Sequence, residues 1–337
     1  MDNLVTIGIP VYKRLEYLPS VLNIVASQDY PNIELLVSDN GMNGTAVPDI
    51  LNKHYPKPYR FRQNDSSVSA SMHFTQLIEN AVGEYFIVLA DDDEISPNYV
   101  SELVAVLKKY PQASVALATE ENIDEAGTVI RKSADTVPDI LSGPDFVRAV
   151  WGTHEYGFQS LCTFLAKTEK LQACGGFPDI WAATSDEDLL ITKLCLDNFV
   201  AFSRPCAFRK RVYESSGGYS ISLQDLARGI HEFTACLNSD PQLLAYGALH
   251  PVEWKESKLH LTKSAWDTYY YRWATIYKER LRLTQWIKAA YALPPSYHRT
   301  VVRNIGATLF SKTMAPLKKR FPQTYERYRA AKTRVRS

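Results

Sequence analysis

The chain has 337 residues, of which 45% are hydrophobic and 22% are charged, and its formal net charge is +1. This ordinary globular composition excludes a disordered or fibrous protein, and the length suits one large α/β domain with an appendage, or two domains. No apolar run approaches the ~18 residues that a membrane-spanning helix needs. The chain starts directly in a strand pattern, without a cationic and then apolar leader, so we expect a cytoplasmic protein.

The charge is distributed unevenly along the chain. From Arg299 to Ser337 there are eleven Lys or Arg and one Glu, a net charge of +10, which leaves −9 on the remainder. This split predicts an acidic catalytic body with a basic tail that binds an anionic partner. An odd number of cysteines without a C-x-x-C pair indicates reduced thiols rather than disulfides or a zinc site. They are Cys162, Cys174, Cys195, Cys206 and Cys236.

Strand and helix patterns alternate over the first 120 residues. The predicted strands are 4–9, 33–38, 59–63, 85–90 and 113–119, and the predicted helices are 15–27, 69–81 and 97–109. The strand at 85–90 is an almost continuous apolar run, which is typical of a central parallel strand buried on both faces. Such a series predicts an α/β, Rossmann-like fold with a mainly parallel sheet flanked by helices.

Beyond residue 120 the pattern is less regular. Short helices are predicted at 145–150 and 167–174 and a strand at 160–166, and Ser185 is expected to cap a helix that ends near Leu196. From Leu223 the pattern is mostly helical and rich in Trp and Tyr, which favours core packing or a homo-oligomer contact. We therefore predict a catalytic domain at 1–222, a helical, aromatic-rich region at 223–298 and a basic tail at 299–337.

Four acidic residues, Asp91 to Glu94, follow directly after the most apolar strand. In open α/β sheets, ligands bind beyond the carboxyl ends of the strands. Adjacent carboxylates repel one another, and a divalent cation with oxygen ligands relieves that repulsion while it bridges to phosphate oxygens. The structural alternative is a solvated turn before the next helix. The position after a buried strand favours a metal-assisted phosphate site.

Four parts of the chain resemble, in order, the motifs of family 2 glycosyltransferases, which bind nucleotide sugars with the GT-A fold. The opening strand and its P-x-Y-N-R turn are similar to IGIPVYKRLEYL, and the D-D-G-S-T-D-G turn to YPNIELLVSDNGMNGT. The G-E-Y strand and D-x-D motif are similar to NAVGEYFIVLADDDEISPNYV, and the G-G-F and E-D motifs to GGFPDIW and SDEDLLITKL. The resemblance covers about residues 3–220 and implies a nucleotide-sugar half at 1–120 and an acceptor half at 121–222.

The resemblance implies a donor site built from the first three of these motifs. Asp39 would accept a hydrogen bond from the nucleotide base, Pro10 and Tyr12 would line the base pocket, and Arg14 in the same turn would contact the nucleotide sugar. A UDP-sugar is the favoured donor.

The triple aspartate would hold the metal ion and the donor sugar. Asp91 and Asp93 fit the outer positions of D-x-D, with Asp93 as the direct ligand of Mg²⁺ or Mn²⁺, and Asp92 would face the ribose or the donor sugar. The cation would neutralise the departing diphosphate.

An inverting sugar transfer also needs a carboxylate that takes the proton of the acceptor hydroxyl. The family pattern puts Glu187 at this position, and a shift of one residue would select Asp186 or Asp188. The structural alternative is that the three acids stabilise the N-terminus of a helix.

Two departures from the family pattern affect the predicted site. Ser38 stands where the family usually has the first of two aspartates. Tyr213 takes the place of a histidine in the Y-R-x-H stretch, so Arg209, Lys210 or Arg211 would bind the diphosphate instead.

The resemblance predicts a metal-dependent, inverting glycosyltransferase that acts on a saccharide or lipid-linked saccharide, by analogy in surface polysaccharide biosynthesis. Basic residues mixed with apolar ones in the tail suit an anionic membrane surface at the inner face of the cell membrane, and the structural alternative is a solvated terminal helix pair.

Three other classes of protein are considered: a nucleotidyltransferase, another metal-dependent phosphate enzyme, and a nucleic-acid-binding protein. The first would need a glycine-rich loop after the first strand, which the sequence lacks, and an aspartate-nucleophile phosphatase would carry D-x-D after its first strand. Against nucleic acid as a partner, the basic charge is terminal and no recognisable module is present.

Overall fold

The computed structural model describes residues 3–157, 164–213 and 221–320, with side chains as far as Leu309. The chain divides into two compact units, residues 1–265 and 266–337. Mostly helical structure begins at Leu223. The predicted domain boundaries at 222 and 298 stay predictions.

The described strands of the first unit form one sheet. The bounds are β1 (Val5–Val11), β2 (Ile33–Asp39), β3 (Tyr59–Gln63), β4 (Tyr85–Val88), β5 (Glu94–Ile95), β6 (Ala113–Ile123), β7 (Val129–Lys132), β8 (Ile140–Ser142), β9 (Leu165–Lys167) and β10 (Phe199–Arg211). Their order is β3-β2-β1-β4-β9-β6-β10-β5, with β7 on β6 and β8 on β10. Strands β1 to β4 run parallel, β9 is antiparallel to β4 and β6, and β10 is parallel to β6. This arrangement confirms the predicted mainly parallel sheet.

Helices cover the sheet and bury their apolar faces against it. Every residue of β1 is buried, and the main core joins β1, β2 and β4 to the helices that follow β1 and β5. Burial of apolar surface stabilises the folded chain by roughly 25 cal/mol per Å². The core therefore fixes β1, β2 and β4, and with them the positions of the turns at their carboxyl ends. The helices are α1 (Leu18–Ala26), α2 (Ala46–His54), α3 (Ala70–Asn80), α4 (Tyr99–Lys109), α5 (Gly143–Val147), α6 (Thr168–Ala173) and α7 (Asp186–Cys195).

Three local predictions differ from the structure. Strand β4 is buried on both faces as expected, but it ends at Val88 and its second neighbour, β9, is antiparallel. Ser185 does not cap α7 through its side chain, because its φ of 57° is left-handed and the hydroxyl makes no capping hydrogen bond. The predicted strand at 160–166 overlaps β9, and its residues up to 163, with Cys162, lie outside the described residues. The cysteines in the described part are free thiols.

The remaining described helices are α8 (Leu223–Ser239), α9 (Pro241–Leu249), α10 (Pro251–Ala274), α11 (Ile276–Arg280), α12 (Leu283–Ala289) and α13 (His298–Arg320). Ser222 and Asp240 cap α8 and α9 through their side chains. A search of the described helices finds none with the length and apolarity to cross a bilayer. Residues 321–337 of the basic tail lie outside the described part, so its membrane role and a homo-oligomer contact stay predictions.

A pair of tryptophans joins two helices of the second unit. The indoles of Trp273 on α10 and Trp286 on α12 stack with their centres 4.6 Å apart. Each Nε1–H donates to the backbone carbonyl of the other residue, at 2.7 and 2.6 Å. Both polar atoms are therefore satisfied inside an apolar contact, as buried tryptophans require.

Candidate functional site

Three turns lie side by side at the carboxyl ends of β1, β2 and β4. Val11 and Asp39 are Cα partners in the β1–β2 ladder, and the backbone N–H of Tyr12 acts to lower the pKa of Asp91 after β4, against the larger effect of burial. A Cβ at Gly41 would lie 1.9 Å from the Tyr12 carbonyl oxygen, so only glycine allows this approach of the turns. Because β2 and β4 lie on opposite sides of β1, the strand order reverses here, where open α/β sheets bind ligands.

Asp39 is fully buried and organises the turn after β2. Its Oδ1 accepts from Gly41 N at 2.7 Å and Asn43 Nδ2 at 2.8 Å, and its Oδ2 from Asn43 N at 2.8 Å and Gln63 Nε2 at 3.3 Å. Asn43 Nδ2 also donates to the carbonyl of Tyr12, whose side chain is 49% exposed. The predicted bond from Asp39 to a base therefore requires one of these donors to move, and it stays a prediction.

A buried polar pair, Ser38 and His73, lies beside this turn. Pro10 is buried in β1 opposite Ser38, and the Ser38 hydroxyl lies 2.9 Å from His73 Nε2 on α3. Burial lowers the pKa of His73 to about 4, and the nearby Arg62 charge acts in the same direction. A neutral imidazole therefore faces Ser38, at the position where the family pattern has an aspartate.

The acidic loop, Asp91 to Glu94, crowds its carboxylates at the end of β4. Burial raises the pKa of Asp91 and of Asp93 to about 7, and the adjacent Asp92 charge acts in the same direction. Asp93 is buried, and its Oδ1 accepts a hydrogen bond from Arg211 N at 2.8 Å. The loop therefore concentrates oxygen atoms whose ionised form is stabilised by a neighbouring positive charge.

Asp92 is paired with protein groups. Arg14 Nη2 donates to its Oδ2 at 2.7 Å, and the Tyr213 hydroxyl donates to the same oxygen. The Arg14 guanidinium also lies 4.7 Å from the centre of the Tyr213 ring. Burial raises the pKa of Tyr213, and the hydrogen bond to Asp92 raises it further, so this phenol stays a donor. The predicted contacts of Asp92 and Arg14 with the nucleotide sugar stay predictions.

Arg211 has a structural position that counts against its predicted role as a diphosphate ligand. Its side chain is 5% exposed, and its guanidinium donates to Glu94 Oε1 at 2.5 Å. Further guanidinium N–H groups donate to the carbonyls of Asp92, Asp124 and Glu125. With those donors used, Arg211 holds the acidic loop against β10, and it could reach a diphosphate only if these bonds broke.

Arg209, the other arginine assigned to the diphosphate, has a more open position. Its side chain is 38% exposed, and its Nε donates to Glu121 Oε2 at 2.9 Å. Its predicted role stays a prediction.

The acids at the start of α7 have different surroundings. Asp186 is buried, and its carboxylate accepts from Ser71 Oγ at 2.6 Å and Glu187 N at 2.8 Å. The Ser185 and Trp151 side chains act to lower the pKa of Asp188, against the larger effect of burial. Burial raises the pKa of Asp186 and of Asp188 to about 7. The contact with Ser71 shows that Asp186 fixes α7 on α3.

Lys210 links the acidic loop to α7 electrostatically. Its charge lowers the pKa of both Asp93 and Asp188, against the larger effect of burial. Because such an interaction weakens with distance, both carboxylates lie within reach of one ammonium group. The two acidic clusters, which are far apart in the sequence, therefore both lie within the range of this one charge.

The residues of this site that could bind a divalent cation belong to the acidic loop. Within the described residues, no three His, Cys, Asp or Glu side chains form a group that could hold a metal ion on their own. Mg²⁺ and Mn²⁺ are commonly held by one or two carboxylates, with substrate phosphates and waters as the other ligands. Asp91 and Asp93 provide such a carboxylate pair, so their chemistry fits a cation that binds together with a phosphate ligand.

Sequence reasoning missed three contributors to this site. Asn43 and Gln63 complete the shell around Asp39, and Ser71 anchors Asp186. Asn43 could have been found, because an Asp-x-x-x-Asn turn after a strand suits side-chain to backbone hydrogen bonds. Nothing in the sequence joins Ser71 to an acid 115 positions away.

Comparison with known proteins shows clear relatives. A family model described as "Glycosyl transferase family 2" matches residues 6–175, about half of the chain. An uncharacterized glycosyltransferase of Rickettsia conorii is 25% identical over 221 residues, which cover 65% of this chain and 36% of that protein. The chain spans about a third of the length of the curated relatives that it matches first.

Two solved structures show the same fold. TarS residues 1–349 of S. aureus, in complex with UDP-GlcNAc, match with a TM-score of 0.63 and 17% identity over 93% of this chain and 92% of that one. The mannosyltransferase PcManGT of Pyrobaculum calidifontis, in complex with GDP-Man and Mn²⁺, matches with a TM-score of 0.50 and 16% identity over 96% and 88%. At these identities the likeness is one of fold.

Proposed function

Because this chain belongs to glycosyl transferase family 2, we propose that it transfers one sugar, with inversion, from a nucleotide-diphosphate sugar to a saccharide or lipid-linked saccharide. The observation that carries the proposal is the place of the acidic loop, which follows β4 beside the turns after β1 and β2, where the strand order reverses and open α/β sheets bind ligands. The acids at the start of α7 would form the acceptor side, from which the acceptor hydroxyl approaches the donor sugar. By analogy with the family, the setting is surface polysaccharide assembly.

A UDP-sugar is the proposed donor. The S. aureus TarS structure in complex with UDP-GlcNAc supports this choice, because that protein shares the fold over nearly the whole chain. The base would lie near the half-exposed Tyr12 and the turn around Asp39, beside Pro10. Arg14, which is held by Asp92, lies next to this turn and would meet the charged part of the nucleotide.

Asp91 and Asp93 would hold Mg²⁺ or Mn²⁺ together with the diphosphate. When bound, the cation supplies positive charge that stabilises the departing diphosphate. The complex of PcManGT with Mn²⁺ supports a metal in this fold. Arg211 keeps Asp93 in place through its backbone N–H, and Lys210 adds a positive charge on the acceptor side.

Asp188 is the proposed general base. The Asp186 carboxylate is occupied by hydrogen bonds from Ser71 and Glu187, whereas the charge of Lys210 acts on Asp188 and favours its ionised form. A base whose pKa lies near the working pH combines an ionised form with proton affinity. Asp188 would take the proton of the acceptor hydroxyl as that oxygen attacks.

A thermal-shift screen of UDP, GDP, CDP and TDP, each with and without Mn²⁺, tests this function. We expect one nucleotide with Mn²⁺ to raise the melting temperature, because saturation at a hundredfold excess over Kd stabilises the folded state by about 2.7 kcal/mol. ADP with Mn²⁺ serves as the comparison ligand. If no nucleoside diphosphate shifts the transition with the metal present, the proposal fails.

A further inference from the structure

The segment between α6 and α7 carries an exposed tryptophan. Trp181 lies five positions before Asp186, and 42% of its surface is exposed. The other five tryptophans of the chain are all buried. An aromatic ring left partly in solvent forgoes part of the free energy that burial would provide.

Three side chains of α8 hold Trp181. The indole Nε1–H of Trp181 donates to Asp225 Oδ1 at 2.9 Å, and the backbone N–H of Trp181 donates to Glu232 Oε2 at 2.7 Å. The Arg228 guanidinium lies 3.5 Å from the ring centre and donates to Glu232 Oε1 at 2.9 Å. Positions 225, 228 and 232 share one face of α8, so the helix fixes the orientation of the indole.

These contacts determine which part of the ring is free. Arg228 covers one face, and Asp225 occupies the nitrogen edge. With that face and that edge occupied, we assign the exposed area of Trp181 to the opposite face and the remaining edge. A flat apolar face, fixed before any ligand arrives, loses little conformational entropy on binding.

The segment from Asp179 to Asp186 is supported from both sides. Ser69 Oγ, just before α3, donates to Asp179 and Ser71 Oγ, within α3, donates to Asp186, each at 2.6 Å. On α8, a Cβ at Gly229 would lie 2.3 Å from Thr184 Oγ1, so this glycine allows the helix to approach. The exposed indole and the acidic start of α7 are thus parts of one braced segment.

The residues between Trp181 and Asp186 include three in the left-handed backbone conformation. Ala182, Ala183 and Ser185 have φ of 55°, 49° and 57°, which are uncommon for residues with a Cβ. Such conformations persist where the surrounding contacts impose them. Here α3 and α8 contact the segment on both sides of these residues, and Trp181 lies five positions before the first residue of α7.

We propose that the free face of Trp181 is a platform that binds a pyranose ring of the acceptor saccharide beside Asp188. This inference rests on the proposed function, because it assigns the acceptor to the α7 side of the site. One face of a pyranose presents C–H groups, which pack on an aromatic face, while its hydroxyls stay available at the rim. Asp225, Arg228 and Glu232 are positioning residues that act through the indole.

Saturation-transfer NMR with methyl glycopyranosides of glucose, galactose, mannose and N-acetylglucosamine tests the platform. We expect at least one glycoside to receive saturation from the wild-type protein, and Trp181→Ala to reduce that signal roughly fivefold or more. Trp181→Phe, which keeps an aromatic face, should retain about half of it or more. Tyr291→Ala removes another exposed aromatic ring and should leave the signal unchanged.

A second measurement does not depend on the alanine variant folding. In protein labelled with 5-fluorotryptophan, the resonance absent from Trp181→Phe identifies Trp181, and the binding glycoside should shift that resonance. A glycoside that shifts only other resonances, or gives equal saturation in wild type and Trp181→Ala, overturns the inference.

UDP with Mn²⁺, examined by the same method, separates the two proposals. If UDP binds and no glycoside binds, the platform is overturned while the proposed function stands. If UDP and the other nucleoside diphosphates all fail to bind the wild-type protein, the proposed function fails, and the platform fails with it.

Discussion

Buried carboxylates dominate the candidate site at the scale of single residues. Asp91, Asp93, Asp186 and Asp188 share a pKa of about 7, and burial is the main cause in each case. Their neighbours nevertheless give them different roles. Asp186 accepts a hydrogen bond from Ser71, whereas Asp188 is acted on by the charge of Lys210. Similar titration therefore does not imply a similar function.

Replacing Asp93 tests the metal assignment. Asp93→Ala should abolish the Mn²⁺-dependent part of nucleotide binding, because it removes a buried oxygen donor from the acidic loop. Isothermal titration of the nucleotide with and without Mn²⁺ measures this loss, and far-UV circular dichroism checks the fold. Asp49→Ala, at an exposed acid on α2, is the control and should bind as the wild type does. Equal Mn²⁺ dependence in both variants would contradict the assignment.

Replacing Asp188 tests the general base. Asp188→Asn should lower transfer by about 10²–10⁴-fold, because the amide takes up no proton from the acceptor. In the wild type, kcat/KM should rise with pH towards about 7 and then level, because the pKa of Asp188 is raised to about 7 by burial. Release of nucleoside diphosphate above the acceptor-free background is the measurement. Transfer by Asp188→Asn close to the wild-type rate would argue for Glu187 instead.

At the scale of elements, glycines decide how closely segments approach. Gly41 lets the β2 turn contact the β1 turn, and Gly229 lets α8 reach Thr184. A glycine inside a helix costs about 1 kcal/mol relative to alanine, so Gly229 reflects the contact that it makes possible. The position of Trp181 therefore depends on α8 as much as on its own segment.

The tryptophan pair of the second unit provides a test of helix packing. Trp286 is 1% exposed and stacks on Trp273, so Trp286→Ala should lower the free energy of unfolding of this unit by about 3–5 kcal/mol. Urea denaturation followed by circular dichroism measures the change. Tyr291→Ala, at a side chain that is 84% exposed, should stay within about 0.5 kcal/mol of wild type. A loss below about 1 kcal/mol in Trp286→Ala would mean that the pair adds little.

At the scale of the whole molecule, the raised carboxyl pKa values couple folding to pH. Each of the four aspartates has a pKa of about 7 when folded and an ordinary value of 3.8. Between pH 3.8 and about 7, these aspartates keep their protons in the folded chain but have lost them in the unfolded chain. The stability that these groups contribute should therefore be greatest at and below about pH 4, fall as the pH rises towards 7, and change little above it.

Asp186→Asn should reduce this slope. One proton difference corresponds to at most about 1.4 kcal/mol per pH unit, and the variant removes one of the four. Urea denaturation between about pH 5 and 8, in EDTA to exclude bound metal, measures the slope. Asp49→Asn on the exposed face of α2 should leave it unchanged. If both variants keep the wild-type slope, burial of Asp186 does not govern its titration.

The sequence alone determined the fold class and most of the first elements, although it did not indicate α2. Apolar, β-branched runs followed by Pro or Asp predicted β1, β2 and the start of β4, because burial and turn chemistry are local properties. The acids at 91–93 and 186–188 could be predicted as site residues, because each group follows a local pattern in the sequence. The sequence could not show which of Asp186, Glu187 and Asp188 is the general base, because the three adjacent residues are all acidic.

Only the tertiary structure decided which charged side chains pair with one another. Arg211 is a candidate for a diphosphate by sequence, yet the fold surrounds it with the carbonyls of Asp92 and Asp124. Likewise, the Lys210 charge acts on Asp93 and on Asp188, which belong to remote parts of the chain. Pairing of this kind depends on distances between segments remote in the chain, and a local pattern of residues carries no information about those distances.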